Sequence, residues 1–240
     1  GGKWQVTLLL LSLMHELRIT PTVITCNAAI SACERSKQWQ LALALLHSMP
    51  EPRITPDVVS YNAAISACGN SERWQSALTL LSSMPGLHIA PDLFSCNAAI
   101  SACEKGNWWE PALALLGSMP HLRISPDVIT FTAATAACEH CGRWQSTLEL
   151  ISSMSPLGLV PSVEGCSSAI SACQQFEQWQ FAIELLDSVP RLRVVPNVKL
   201  YQAAIRACEK GDLRLLATGL FRCVSKHLEA HTEHVHLQLH

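Results

Sequence analysis

The stretch VVSYNAAISACGNSERWQSALTLLSSMPGLHIAPD, residues 58–92, recurs with small changes along nearly the whole chain. Two residue types mark its copies at intervals of 35 residues. They are Pro21, Pro56, Pro91, Pro126, Pro161 and Pro196, and Trp4, Trp39, Trp74, Trp109, Trp144 and Trp179. Self-similarity at such a period is typical of a solenoid, in which a unit buries its apolar face only by stacking on its neighbours.

Each copy contains two helical patterns. Between Cys26 and Cys33 the apolar and small side chains recur at i, i+3, i+4 and i+7, so they share one face of a helix, called helix A here. A second stripe begins at Trp39 and predicts helix B, which cannot continue past Pro56. The sequence therefore predicts an all-α protein, a superhelical α-solenoid of stacked antiparallel helix pairs.

The repeat register also divides the chain. The predicted divisions are a partial repeat with helix B only (1–22), five repeats (23–57, 58–92, 93–127, 128–162 and 163–197), a degenerate repeat (198–224) and a His-rich tail (225–240).

Composition indicates a folded chain without a membrane span. Of 240 residues, 49% are hydrophobic and 15% are charged, which is enough apolar surface for a sizeable core. The longest apolar run, residues 6–14, is far shorter than the ~20 residues that cross a bilayer. Six of the cysteines fall at the 35-residue period, which indicates small buried side chains in a reducing compartment and not a disulfide framework.

The tryptophan column shares the apolar stripe of helix B with leucine and methionine. We therefore expect it in the core and not as a stacking platform for nucleic-acid bases. Trp108 falls outside this column and is expected at the surface.

The sequence offers little support for metal sites or catalytic motifs. Cys138 and Cys141 have the C-x-x-C spacing of zinc sites, but Cys138 belongs to the core column and no second ligand pair follows. The tail holds five histidines, and His231-Thr-Glu233 matches half of the zinc deaminase signature without its P-C-x-x-C partner. No phosphate loop or nucleophile elbow is present. We expect no metal, no cofactor and no enzymatic activity.

At this point the residues suggest a family. The pattern V-x-x-x-N-A-A-I-S-A-C … A-L-x-L-L-x-x-M … P-D, seen in 58–92 and 93–127, resembles the pentatricopeptide repeat family over about nine-tenths of the chain. The Ala-Ala-Ile-Ser-Ala-Cys and Trp-Gln motifs are most similar to those of arrays from plastid-bearing algae. The W-x-x-L-G-x-x-Y pattern of tetratricopeptide repeats is absent. The resemblance implies a monomer in the chloroplast or mitochondrion that binds single-stranded RNA in organellar RNA processing, stability or translation.

The family reads one base per repeat with the fifth residue and the last, on a concave surface lined by helices A. Carried over by position, the pairs are Asn27 with Asp57, Asn62 with Asp92, Asn97 with Asp127, Thr132 with Ser162, and Ser167 with Asn197. In the family, Asn with Asp favours uracil and Ser or Thr with Asn favours adenine, whereas Thr with Ser departs from the code. The implied core is 5′-UUU-N-A-3′.

The resemblance assigns a role to the second residue of each repeat as well. In the family these residues sandwich the bases, and here they are Ile24, Val59, Phe94 and Ile129. They are followed by Glu164 and Lys199, which do not suit a base face, so readout should weaken toward the C-terminus. Arg35 and Lys105, near the end of helix A, are candidates for phosphate contacts.

Simpler interpretations stay open. Asp, Ser and Asn are preferred N-cap residues, so capping alone explains the last column, and the asparagine column could be a solvated polar face. With 17 basic and 19 acidic residues the chain has no global positive field for RNA. The alternatives are therefore a protein-interaction scaffold that takes a peptide in the same groove, or an array fragment without a ligand of its own.

Overall fold

The computed structural model describes residues 3–49 and 54–210. In this part of the chain twelve α-helices and no strands are present, and the predicted all-α solenoid class is confirmed. The second half of the predicted degenerate repeat and the His-rich tail lie outside the described residues, so the repeat boundaries stay a division based on sequence.

Helices A all begin 35 residues apart: α2 Val23–Arg35, α4 Val58–Asn70, α6 Leu93–Lys105, α8 Val128–His140, α10 Val163–Gln175 and α12 Val198–Lys210. The others are α1 Lys3–Glu16 and the helices B, α3 Trp39–Ser48, α5 Trp74–Ser83, α7 Trp109–Ser118, α9 Trp144–Met154 and α11 Trp179–Ser188. Short 3₁₀ turns follow α5 and α9, at Pro85–Leu87 and Ser155–Leu157.

The chain forms two compact units, residues 1–137 and 138–240. In unit 1 each helix A packs against its own helix B, as α2 with α3 and α4 with α5, and successive helices A also pack together, α2 with α4 and α4 with α6. In unit 2, α10 packs against α9, α11 and α12.

Small side chains allow this close packing. Ala64 and Ala99, on successive helices A, are fully buried. At Gly69 an added Cβ would lie 3.1 Å from the Cβ of Ala102, which is tighter than ordinary contact. Burial raises the pKa of the Cys68 and Cys103 thiols to about 11, and the described cysteines are all free. The periodic cysteines therefore act as small apolar side chains, as the sequence indicates.

The tryptophans lie closer to the surface than predicted. Trp39 and Trp74 are only partly buried and pack against the edge of the core. The guanidinium of Arg73 lies 5.1 Å from the ring centroid of Trp39, and the ring of Trp108 lies 4.8 Å from that of Trp74. Trp108 is exposed, as expected. Both Trp39 and Trp74 start a helix B, where the ring bridges to the next repeat instead of entering the interior.

Helix α1 leaves an apolar face open. Val6, Leu9, Leu10 and Leu13 are all exposed. In the complete repeats the corresponding helix B packs against its own helix A, whereas α1 packs mainly against α2 among the described helices. This exposure fits the interpretation of α1 as a helix B without its partner in the described residues.

Every described turn between helices contains one residue in the left-handed conformation. After helices A these are Lys37, Glu72, Asn107, Gly142 and Glu177, and after α1 and helices B they are Arg18, His88, Arg123, Gly158 and Arg193. The conformation lets the next amide bond back to the helix, as the Ile89 amide does to the Met84 carbonyl at 3.0 Å. It costs a residue with a Cβ about 1 to 2 kcal/mol.

We predict that Gly142→Ala destabilises unit 2 more than Gly158→Ala does. Both glycines have left-handed φ values, +69° and +71°. A Cβ at position 142 would lie 2.0 Å from Cζ of Phe176, whereas nothing lies within 4 Å at position 158. Urea unfolding should show a loss of about 1 to 2 kcal/mol for Gly158→Ala, and a further loss of about 1 to 3 kcal/mol from overpacking for Gly142→Ala. Equal losses would mean that the Phe176 ring moves aside freely.

Candidate nucleic-acid interface

The N-terminal ends of helices A in unit 1 carry a row of exposed apolar side chains. They are the second residues of four successive helices, Ile24, Val59, Phe94 and Ile129, and are between 52% and 79% exposed. Large apolar side chains at one repeated position, each open to solvent, are a notable feature because single scattered ones need no explanation. These side chains are therefore available to contact a flat apolar ligand face.

The aspartates that precede these helices are N-caps. The Asp92 carboxylate accepts from the Ser95 amide at 2.7 Å, and the Ser95 hydroxyl accepts in turn from the Asp92 amide at 3.2 Å. The same reciprocal pair joins Asp57 to Ser60 and Asp127 to Thr130. The capping interpretation of the aspartate column is thus confirmed in unit 1, since each cap satisfies a backbone donor that the helix cannot.

The asparagines reach across to the cap of the next repeat. The amide Nδ2 donates to the aspartate Oδ1 at 3.1 Å from Asn27 to Asp57, 3.2 Å from Asn62 to Asp92 and 3.3 Å from Asn97 to Asp127. The amide Oδ1 accepts from the hydroxyl of Ser60 at 2.5 Å, of Ser95 at 2.5 Å and of Thr130 at 2.6 Å. The solvated polar face is therefore the wrong interpretation of this column, and Asn62 is only 8% exposed.

The carboxylate fixes which way each amide faces, and the hydroxyl bonds to the oxygen that this orientation presents. A serine or threonine hydroxyl has one proton, and its contact with the asparagine Oδ1 is shorter than its contact with the aspartate, 2.5 Å against 2.8 Å for Ser95. Because an ionised carboxylate can only accept, the amide NH₂ must face the aspartate. Each asparagine is held in one orientation and keeps one N–H proton and one Oδ1 lone pair beyond these bonds.

The carboxylates of this network titrate below their usual range. Burial raises the pKa of Asp57, Asp92 and Asp127, but hydrogen bonds from backbone amides, the hydroxyl and the asparagine together outweigh it. The net pKa of each carboxyl is lowered, which means that the network favours the ionised form.

In unit 2 the network is incomplete. The third residue of helix A, which is Ser60, Ser95 or Thr130 in unit 1, is Gly165 in α10 and Leu200 in α12. Asn197 still caps α12, with its Oδ1 accepting from the Leu200 amide at 3.0 Å. The Oγ of Ser167 is buried and has no hydrogen-bond partner among the described residues.

The residues of the fourth predicted pair, Thr132 and Ser162, each form a bond within their own helix or cap. The Thr132 hydroxyl donates to the Val128 carbonyl at 2.7 Å, within its own helix. Ser162 caps α10 by accepting from the Gly165 amide at 2.9 Å.

The sequence alone does not reveal the role of the hydroxyl column, which consists of Ser60, Ser95 and Thr130. The signal was present as an N-cap Asp followed three residues later by Ser or Thr, in residues 57–60, 92–95 and 127–130. A capping box pattern of this kind identifies a local pair, but the bond from the hydroxyl to an asparagine one repeat earlier depends on how closely the helices stack.

The two predicted phosphate contacts lie at the other end of helices A. Lys105 Nζ donates to Asn70 Oδ1 at 2.7 Å, and Arg35 is exposed on the last turn of α2. Burial raises the pKa of Glu34, while the nearby charges of Arg35 and Lys105 oppose that rise. Both cations are therefore already close to a carboxylate. Lys105 also lies about 12 Å along the helix axis from Asn97.

Neither a metal site nor a membrane helix is found in residues 3–49 and 54–210. No group of three His, Cys, Asp or Glu side chains is placed to hold a metal ion. Burial raises the pKa of Cys138 to about 12, which disfavours the thiolate that zinc needs. No described helix has the length and apolar character of a membrane span.

Comparison of the sequence with family models gives three overlapping matches. A pentatricopeptide repeat domain matches residues 8–71, a PPR repeat family matches 56–105 and a PPR repeat matches 94–124. No curated protein matches the chain by sequence.

Solved structures resemble the chain in fold. The PPR domain of protein-only RNase P 1 from Arabidopsis thaliana, in complex with tRNA, has a TM-score of 0.60 at 12% identity over 68% of this chain and 86% of its own. PPR10 in complex with an 18-nucleotide psaJ RNA element has a TM-score of 0.71 at 20% identity, over 97% of this chain and 36% of its own. PPR10 from maize has a TM-score of 0.56 at 18% identity, over 88% of this chain and 35% of its own. The chain thus spans about a third of the PPR10 chains.

We predict that acid destabilises unit 1 through the three capping aspartates. Their folded pKa values are lowered, so their contribution is complete above the unfolded pKa of about 3.9 and is lost as pH falls through the folded values. Urea unfolding of wild type and of Asp57→Asn/Asp92→Asn/Asp127→Asn should be compared from about pH 6 to about pH 3. Asparagine caps nearly as well as aspartate, so the variant should fold and lose less stability in acid. An equal acid loss in both proteins would contradict the assignment.

Proposed function

The chain belongs to the pentatricopeptide repeat family, and on that basis we propose that it binds single-stranded RNA, one base per repeat, along the N-terminal ends of its helices A. The observation that carries the proposal is the pairing of an exposed apolar residue with a fixed amide in three successive repeats of unit 1. RNA complexes among the structural neighbours support RNA as the ligand.

The amide chemistry suits uracil. The edge of uracil presents carbonyl oxygens as acceptors and one ring N–H as a donor. The N–H proton left on Asn62 can donate to a carbonyl, and the free lone pair of its Oδ1 can accept from the ring N–H. Because Asp92 and Ser95 already hold the amide in place, little rotamer entropy is lost when a base binds.

The proposed base order follows from the five pairs. Three Asn and Asp pairs in unit 1 favour three uracils, and Ser167 with Asn197 favours adenine after an undecided base, which gives 5′-UUU-N-A-3′. We expect the uracil preference to be the stronger part, because the Ser167 Oγ is buried and Glu164 and Lys199 replace the apolar row in unit 2.

The proposed role is RNA binding without catalysis. By family resemblance, we propose that the protein acts as a monomer in the processing, stability or translation of transcripts in the chloroplast or mitochondrion. The net charge of −2 keeps a second candidate open, in which the same row of apolar residues takes a peptide partner.

Titration of labelled oligomers separates these functions. We expect 5′-UUUUA-3′ to bind more tightly than AAAAA or a shuffled oligomer, with an affinity that falls as salt rises because phosphate contacts release counterions. Absence of binding to all three oligomers would overturn the RNA proposal and favour the peptide scaffold.

The base code predicts a reversal of preference. Asn27, Asn62 and Asn97 are changed to Ser, and Asp57, Asp92 and Asp127 to Asn. The new caps still serve the helices, while the family code for Ser with Asn favours adenine. The variant should bind AAAAA more tightly than 5′-UUUUA-3′ in the same titration. If both proteins prefer the same oligomer, the code does not apply to this chain.

Stacking predicts a loss that does not depend on sequence. Phe94→Ala should weaken binding to every oligomer that binds, by about 1 to 3 kcal/mol, since stacking on an aromatic face does not depend on the base. Leu87→Ala is the control, because Leu87 is similarly exposed but lies in a 3₁₀ turn. A loss of the same size in the control would show that surface apolar area in general, and not the helix A row, contributes to affinity.

A further inference from the structure

The turns that lead into helices A carry basic side chains in a strained backbone conformation. Of the five described left-handed residues that precede a helix A, four are basic and one is glycine: Arg18 (φ 55°), His88 (φ 61°), Arg123 (φ 59°), Arg193 (φ 61°) and Gly158 (φ 71°). We call the four basic residues the loop-edge row. All four are exposed.

The backbone conformation does not require a basic residue. The turns after helices A place a residue in the same conformation, and there the residues are Lys37, Glu72, Asn107, Gly142 and Glu177. This second column, in the same chain and with the same φ, has no preference for either charge. Glycine would fit the loop-edge row with less strain, as Gly158 shows. The basic residues therefore occupy these positions although the left-handed backbone would be less strained with glycine.

Local electrostatics do not explain the row either. A cation near a helix C-terminus interacts favourably with the helix dipole, but Glu72 and Glu177 occupy the equivalent places after helices A. No described residue forms a hydrogen bond or an ion pair with the side chains of Arg18, His88, Arg123 or Arg193. This differs from Arg35 and Lys105, whose charges lie close to Glu34.

The row lies beside the candidate interface. Arg18 precedes the cap Thr22 by four residues, and His88 and Arg123 precede Asp92 and Asp127 by the same distance. Four residues span at most about 14 Å. The side chains of Arg18, His88 and Arg123 are thus anchored near the N-terminal end of a helix A, where the exposed apolar residues and fixed asparagines stand.

We infer that the loop-edge row contacts the phosphates of the bound single strand, as a phosphate line distinct from Arg35 and Lys105. The inference rests on the proposed RNA binding. The row shares the 35-residue register of the apolar and asparagine columns, so its side chains can follow a strand whose bases meet helices A. It also supplies the local positive charge that the overall balance of 17 basic and 19 acidic residues lacks.

The test uses glycine, because glycine removes the charge and relieves the strain. Each phosphate contact on a single strand contributes about 0.7 to the slope of log affinity against log salt. Arg18→Gly/Arg123→Gly should make the slope for 5′-UUUUA-3′ less steep by about 1.4. If the variant and the wild type bind equally at extrapolated 1 M salt, the variant binds about 25-fold more weakly than the wild type at ~0.1 M salt. Its urea midpoint should stay equal to that of the wild type or rise.

Lys37→Gly is the matched control for Arg18→Gly. Each change removes one positive charge from one left-handed residue, but Lys37 lies in the turn after helix A. The slope of log affinity against log salt should become less steep by about 0.7 for Arg18→Gly and stay unchanged for Lys37→Gly. Equal effects would show that only net charge matters and would overturn the inference.

A gain of charge provides an independent check. Gly158→Arg adds a basic side chain at the described row position that lacks one, and nothing lies within 4 Å of the added Cβ. For an oligomer that binds unit 2, the salt dependence should become steeper by about 0.7 in slope. If the wild type binds no oligomer, the proposed function fails and this inference fails with it. If the wild type binds but the slope is the same in all these variants, the loop-edge inference alone is overturned.

Discussion

The close approach of successive helices A is the constraint on which the rest of the structure depends. Buried alanines and Gly69 bring α4 and α6 together, with an added Cβ at Gly69 only 3.1 Å from that of Ala102. At this spacing an asparagine side chain can reach the cap of the following helix. Larger residues in this seam would separate the helices and break the Asn62 to Asp92 bond along with the core.

The cap network joins folding and recognition in the same atoms. In unit 1 each aspartate caps its own helix, binds the asparagine of the preceding repeat and, under the proposed function, helps to read a base. A carboxylate with lowered pKa therefore contributes to stability and to specificity together. Unit 2 shows the other outcome: with Leu200 in the hydroxyl position, Asn197 still caps its helix, but the Ser167 Oγ finds no partner in the part of the chain that the structure describes.

Sequence alone predicted the fold class because the period of 35 residues and the helical stripes are local signals. It also offered capping as one interpretation of the aspartates, since a polar residue after proline and before an apolar run is a local pattern too. It did not predict that Asn62 would be only 8% exposed, that Asp92 and Ser95 would hold its amide, or that Trp39 would be only partly buried. Each of these depends on contacts with the next repeat, and their distances follow from three-dimensional stacking.

The left-handed turns allow residues favoured by backbone stability to be distinguished from residues favoured by binding, which the sequence alone does not allow. At the caps both demands favour the same residue, so the choice of Asp92 does not reveal which one prevails. At the loop-edge row they oppose each other, because the backbone favours glycine and the side chains there are Arg18, His88 and Arg123. The turns after helices A, which share the conformation but hold Glu72 and Asn107, remove the backbone as the cause. The loop-edge inference assigns the choice of basic residues to phosphate contacts along the edge of the proposed RNA site.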